Sequence, residues 1–288
     1  MSTRRNSKGE LEHRVLVHWP DIKAGFTQAL EGRNRKESVP EKQVNLQRQL
    51  HQWRNNREVS WTGATHQQMQ GWLRDGYYRP EFAHSGEFII GRKRRKLRFG
   101  EEGEMQLDLV HSGHDYPYLD WDQRERKPGL RIVIDLCFHA GTKATMIAKY
   151  GAWCASLLGT LEANGYDLEV DIAFPMRALY ENEEGGPYSG PRALTMMRVK
   201  NQNEASDFTE WSPIFSPGGF RMMGFYALCI GAEKLGKVVN SHYGFPEDNG
   251  MRVEFIPEER TLYLWTPNGL ASVDPEDLSR QAREAGIL

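Results

Sequence analysis

Residues 130–174 constrain the fold more than any other stretch of the chain. Leu130-Arg-Ile-Val-Ile-Asp-Leu136 is an apolar run of strand length, entered through Pro128-Gly129. Met146, Ile147, Tyr150, Trp153, Cys154, Leu157, Leu158 and Leu161 then recur every three or four positions, which predicts a helix over 143–163. Asn164-Gly165 stops it. Leu168-Glu-Val-Asp-Ile-Ala-Phe174 is a second strand, expected to end at Pro175. Strand, long helix and strand in immediate succession predict a right-handed βαβ crossover, with two parallel strands covered by that helix.

The flanking sequence extends this unit. Leu194 to Lys200, Met251 to Ile256 and Thr261 to Trp265 read as further strands, Met105 to Val110 alternates at period two, and helices fit 219–235 and 275–285. Upstream, residues 1–12 read as a disordered start, and Val15 to Trp19 as an edge strand or a turn into a helix over 22–31. Leu46, Leu50 and Trp53 sit at i, i+4 and i+7, a weak amphipathic stripe behind a charged linker. Thr65 is placed to cap a helix whose Met69, Trp72 and Leu73 share one face and which ends at Gly76. The expected division is a basic, partly disordered arm and linker over 1–58, a small helical, basic subdomain over 59–100, and an α/β domain over 101–288. The expected fold class is α/β, a doubly wound, mostly parallel sheet behind a basic, mostly helical N-terminal segment.

Charge is split along the chain. Residues 1–100 hold 20 Lys/Arg against 10 Asp/Glu, whereas residues 101–288 hold 17 against 29. The formal net charge of −2 averages these out. Such polarity suits a basic surface that meets nucleic acid or an acidic partner, and equally suits head-to-tail attraction between copies. No apolar run approaches the length of a membrane span, and Met1 to Glu12 lacks the apolar stretch of a signal peptide. Cys137, Cys154 and Cys229 are widely spaced and odd in number, as expected of free thiols in a reducing compartment. A cytoplasmic protein without membrane contact is the expectation.

Ile132-Val-Ile-Asp135-Leu-Cys137-Phe-His139-Ala-Gly141, the helix containing Ile147 to Ala152, Leu161-Glu162 and the strand ending in Phe174 resemble the first βαβ of a von Willebrand factor A-like domain, a Rossmann-like architecture. That resemblance covers about 45 residues and implies fold. The family places a divalent metal after its first strand through Asp-x-Ser-x-Ser; here Asp135 is present, but Cys137 and His139 stand where the hydroxyls would be. Magnesium requires hard oxygen ligands, so the resemblance implies a degenerate metal motif and no bound metal. The longer layout also resembles uncharacterised bacteriophage and mobile-element proteins, on Trp61-Thr-Gly, Lys149-Tyr-Gly-Ala152, Leu161 to Glu169, and Phe215 to Arg221. It implies a phage-type origin, hence host cytoplasm or virion association.

Asp135, Cys137 and His139 alternate along one strand and would share a face. His111, His114 and Asp115 lie in a loop after another predicted strand and would complete a tetrahedral, zinc-like set at the strand ends. A buried small thiol and a loop histidine explain the same residues without a ligand, and no Cys-x-x-Cys or His-Glu-x-x-His is present. Only Ala140-Gly141 follows the first strand where a dinucleotide-binding or Walker loop would need several glycines. No cofactor is therefore expected. Ser85 and Ser189 lack a nucleophile-elbow frame, Cys154 falls on an apolar helix face, and Glu169 and Asp171 are expected on a solvated side.

Arg92, Lys93, Arg94, Arg95, Lys96 and Arg98 form the densest cationic run, with Trp53, Trp61, Trp72, Tyr77 and Tyr78 nearby in sequence. Cations and stacking surfaces together suit non-specific contact with DNA or RNA, although a solvated strand edge carries the same composition. The leading expectation is a non-enzymatic interaction or assembly protein that meets a protein partner or self-associates. The alternatives are a nucleic-acid-binding accessory protein, and a metal-dependent hydrolase at the carboxyl ends of the parallel strands.

Overall fold

A computed structural model of the chain describes residues 2–5, 11–31, 44–55, 65–75, 97–100, 104–105, 118–121, 127–136, 142–163, 165–176, 179–180, 192–204, 208–216, 218–239, 261–264 and 280. The N-terminal part starts with β1 (Ser2–Arg5) and β2 (Leu11–His18), followed by α1 (Trp19–Glu31), α2 (Val44–Arg54) and α3 (His66–Asp75). Next are β3 (Leu97–Gly100), β4 (Glu104–Met105) and β5 (Tyr118–Trp121), a small antiparallel sheet in the order β3-β5-β4. The expected βαβ unit follows as β6 (Lys127–Asp135), α4 (Ala144–Ala163) and β7 (Tyr166–Met176). Beyond it lie β8 (Leu179–Tyr180), β9 (Arg192–Lys200) and α5 (Phe208–Trp211). A 3₁₀ turn (Ser212–Phe215) and a π-helical turn (Gly219–Met223) lead into α6 (Gly224–Lys234), β10 (Val238–Val239) and β11 (Thr261–Leu264).

Among the described residues the main sheet has six strands in the order β1-β2-β9-β7-β6-β11. β6 pairs in parallel with β7 and β11, and β2 in parallel with β9. β9 runs antiparallel to β7, and β1 antiparallel to β2. The sheet is mixed and mostly parallel, as expected, with three of its five described pairings parallel. β7 and β9 are antiparallel neighbours, a pairing that needs no crossover helix between them. Pro175 does not end its strand: it stays in β7 opposite Leu194. The start of the chain, expected to be disordered, supplies β1. β2 lies between β1 and β9, so the stretch read as an arm and linker contributes two strands to the same sheet as the βαβ unit.

One face of this sheet carries Val15, Val17, Ile132, Ile134, Val170, Ile172, Phe174, Met197, Leu262 and Leu264, all buried in a single core with the inward residues of α1, α2, α3, α4 and α6. The opposite face carries a smaller apolar group of Val133, Ala173, Leu194 and Met196, flanked by Leu16 and Tyr263. Among the described residues the helices pack on the first face, so the sheet is not doubly wound there. The strand sequences give the physical reason. Sheets covered by helices on both sides read as continuous apolar runs, whereas Arg131, Glu169, Asp171 and Arg198 interrupt these strands on every second position.

The upstream helices follow their sequence signals. Leu46, Leu50 and Trp53 are all buried, and Phe26 of α1 packs its ring against Trp53 and Tyr226. Thr65 caps α3 reciprocally: Gln68 N–H donates to Thr65 Oγ1 at 3.1 Å, and Thr65 N–H donates to Gln68 Oε1 at 2.8 Å. This capping box satisfies two donors that an uncapped helix start would leave to solvent. No described helix is long and apolar enough to cross a membrane.

Candidate functional site

Asp135 ends β6 at the carboxyl edge of the parallel strands, where open α/β sheets present their loops. It is half-buried, and the following Leu136 N–H donates to the Ala173 carbonyl at 3.0 Å, holding β6 and β7 together at this edge. The chain re-enters at buried Thr142 and turns into α4; Arg221, on the π-helical turn, donates from Nη2 to the Thr142 carbonyl at 3.0 Å. Behind Asp135 lies fully buried Tyr150, whose hydroxyl donates to the Leu264 carbonyl at 2.9 Å. Burial pushes the Tyr150 phenol well above its ordinary value, and the nearby Cys154 and Asp135 push it further. Burial likewise pushes the Cys154 and Cys229 thiols up, which leaves both as inert core groups. Of the residues expected at this edge, Asp135 is where the sequence placed it. Cys137, His139, His111, His114 and Asp115 lie outside the described residues. Among the described residues, no group of three or more His, Cys, Asp or Glu is arranged to hold a metal ion.

A second charged cluster lies on the sheet face that the helices do not occupy. Asp171 is fully buried and takes hydrogen bonds from two guanidinium groups: Arg131 Nε at 2.8 Å, and Arg198 through Nε and, at 3.2 Å, Nη2. Glu169 stands beside it, 2.8 Å from Arg198 Nη2 and 3.3 Å from Arg131 Nε. The solvated side expected for Glu169 and Asp171 is corrected here, because the arginines of β6 and β9 close over them. The missing signal was cross-strand: Arg131 pairs with Glu169, and Asp171 with Arg198. Two cations and two carboxylates on three adjacent strands cancel. The cluster fixes strand register and offers no net charge to a ligand.

The third candidate is the outer surface of the N-terminal helices. α2 contains Arg48, His51 and Arg54 and no carboxylate, and exposes Gln47, Arg48, His51 and Asn55 along one stripe. α3 turns Gln67, Gln70, Gly71 and Arg74, at i, i+3, i+4 and i+7, away from buried Met69 and Leu73. His66 joins the two helices. Its ring packs edge-on to Trp53, its Nε2 lies 2.9 Å from the Leu30 carbonyl, and desolvation lowers its pKa, with the charge of Arg54 adding to that. Of the cationic run expected to make contacts, Arg92 to Lys96 lie outside the described residues. Arg98 is placed in β3, opposite Asp120 of β5.

Among curated proteins, the ephrin type-A receptor 5 of Rattus norvegicus is 36% identical over 73 residues, covering 25% of this chain and 6% of the receptor. The ephrin type-A receptor 5 of Gallus gallus is 34% identical over 76 residues, covering 26% of this chain and again 6% of the receptor. The chain thus corresponds to a small fraction of the curated relatives it matches. No solved structure matches it. The family model described as "Domain of unknown function (DUF7192)" matches residues 7–285, from β2 through the N-terminal helices and the βαβ unit. On that match the chain belongs to the DUF7192 family.

Proposed function

We propose that this protein is a non-enzymatic interaction protein. Its von Willebrand A-like α/β core acts as a scaffold, and its basic N-terminal part meets a protein partner or a second copy of the chain. The observation that carries the reading is how the basic helices are mounted. Leu46, Leu50 and Trp53 of α2, and Met69 and Leu73 of α3, are seated in the same core as β2, β7, α4 and α6. A surface richer in arginine and amides than in carboxylates is thereby presented on a fixed support. The parallel β6–α4–β7 unit with Asp135 at its carboxyl end supports the choice of core. The charge split between residues 1–100 and 101–288 supports attraction between unlike parts of two molecules. The sequence layout supports a phage or mobile-element type of assembly protein.

Sizing of the full chain by light scattering at about 50 and 500 mM salt, alone and with captured partners, tests this reading. Assembly that dissolves at high salt is the expected result. A monomer at both salts with no recoverable partner would overturn it. A second reading, a nucleic-acid-binding accessory protein, is favoured by the exposed residues of α2 and α3, because arginine, histidine and amide groups are those that contact phosphates and bases.

A further inference from the structure

We draw no further inference here: the strongest candidate, the side-chain cluster of Thr142 and Arg221 at the N-terminus of α4 on the carboxyl edge of the parallel strands, is a helix end whose guanidinium already donates to the Thr142 carbonyl, and no second observation among the described residues points to a ligand there.

Discussion

The Tyr150 hydroxyl donates to the Leu264 carbonyl at 2.9 Å, tying the first half of α4 to the last residue of β11. Both groups are buried, and 114 residues of chain separate them. Buried Leu262 and Leu264 seat β11 in the core, and this contact adds a directed hydrogen bond from the helix layer to a strand of four residues. Tyr150→Phe keeps the ring and its packing and leaves the carbonyl without its donor. The expected loss is about 1–2 kcal/mol in urea unfolding. Faster amide exchange in residues 261–264 should accompany it, and an unchanged exchange pattern would show that β11 is held by other means.

Asp171 is the most sharply defined electrostatic position. It is buried between Arg131 and Arg198, so Asp171→Asn removes the buried carboxylate from two guanidinium groups and leaves the more exposed Glu169 beside them. The expected destabilisation is about 3 kcal/mol, the scale of breaking one side of a buried pair. Glu169→Gln should cost about 1 kcal/mol or less, because its carboxylate keeps more contact with water. Equal costs for the two changes would mean that the buried carboxylate is not the centre of the network.

Acid should weaken the N-terminal part through His66 and His13. Desolvation lowers both pKa values below the ordinary 6.5, with Arg54 near His66 and Lys237 near His13 adding to the effect. The unfolded chain then takes up protons at a higher pH than the folded one. Stability is complete above about pH 6.5 and falls as pH drops through 6.5 toward the lower folded values. Urea midpoints measured at pH 8 and pH 5.5 should differ in that direction. His66→Gln should reduce the difference, since a neutral amide near the Leu30 carbonyl does not titrate.

Much of this arrangement was legible in the residues, for reasons that can be stated locally. The helix at 144–163 and the strands around it announce themselves because apolar spacing repeats over many residues. Thr65 as a cap is legible because the partner groups lie within one turn of sequence. The mixed sheet was not legible. Whether β9 runs parallel or antiparallel to β7 depends on the path of the connection between them, and the apolar pattern of Leu194 to Lys200 is the same either way. The strand at Ser2–Arg5 was missed because Ser-Thr-Arg-Arg has no apolar side chain; backbone pairing with β2 alone defines it. The partnership of Asp171 with Arg131 and Arg198 needed the register of three strands, which no single stretch contains. At the carboxyl edge, Asp135 is the last residue of β6, at the end of an apolar run.

Two glycines of α4 make opposite predictions from one rule. Gly151 lies against Phe215, and a methyl there would sit 2.6 Å from the Phe215 Cβ and Cγ. Neither side can yield easily, because Phe215 is buried next to Trp211 with ring centroids 5.9 Å apart. Gly151→Ala should therefore destabilise by about 1–3 kcal/mol through overpacking, despite the gain in helix propensity. Gly159 lies on the exposed side of the same helix with no atom within 4 Å of an added methyl. Gly159→Ala should accordingly stabilise by up to about 1 kcal/mol. Thermal melts of the two variants beside the wild type check the pair. If both shift in the same direction, the close seat of α4 on the 3₁₀ turn is not what holds the helix in place.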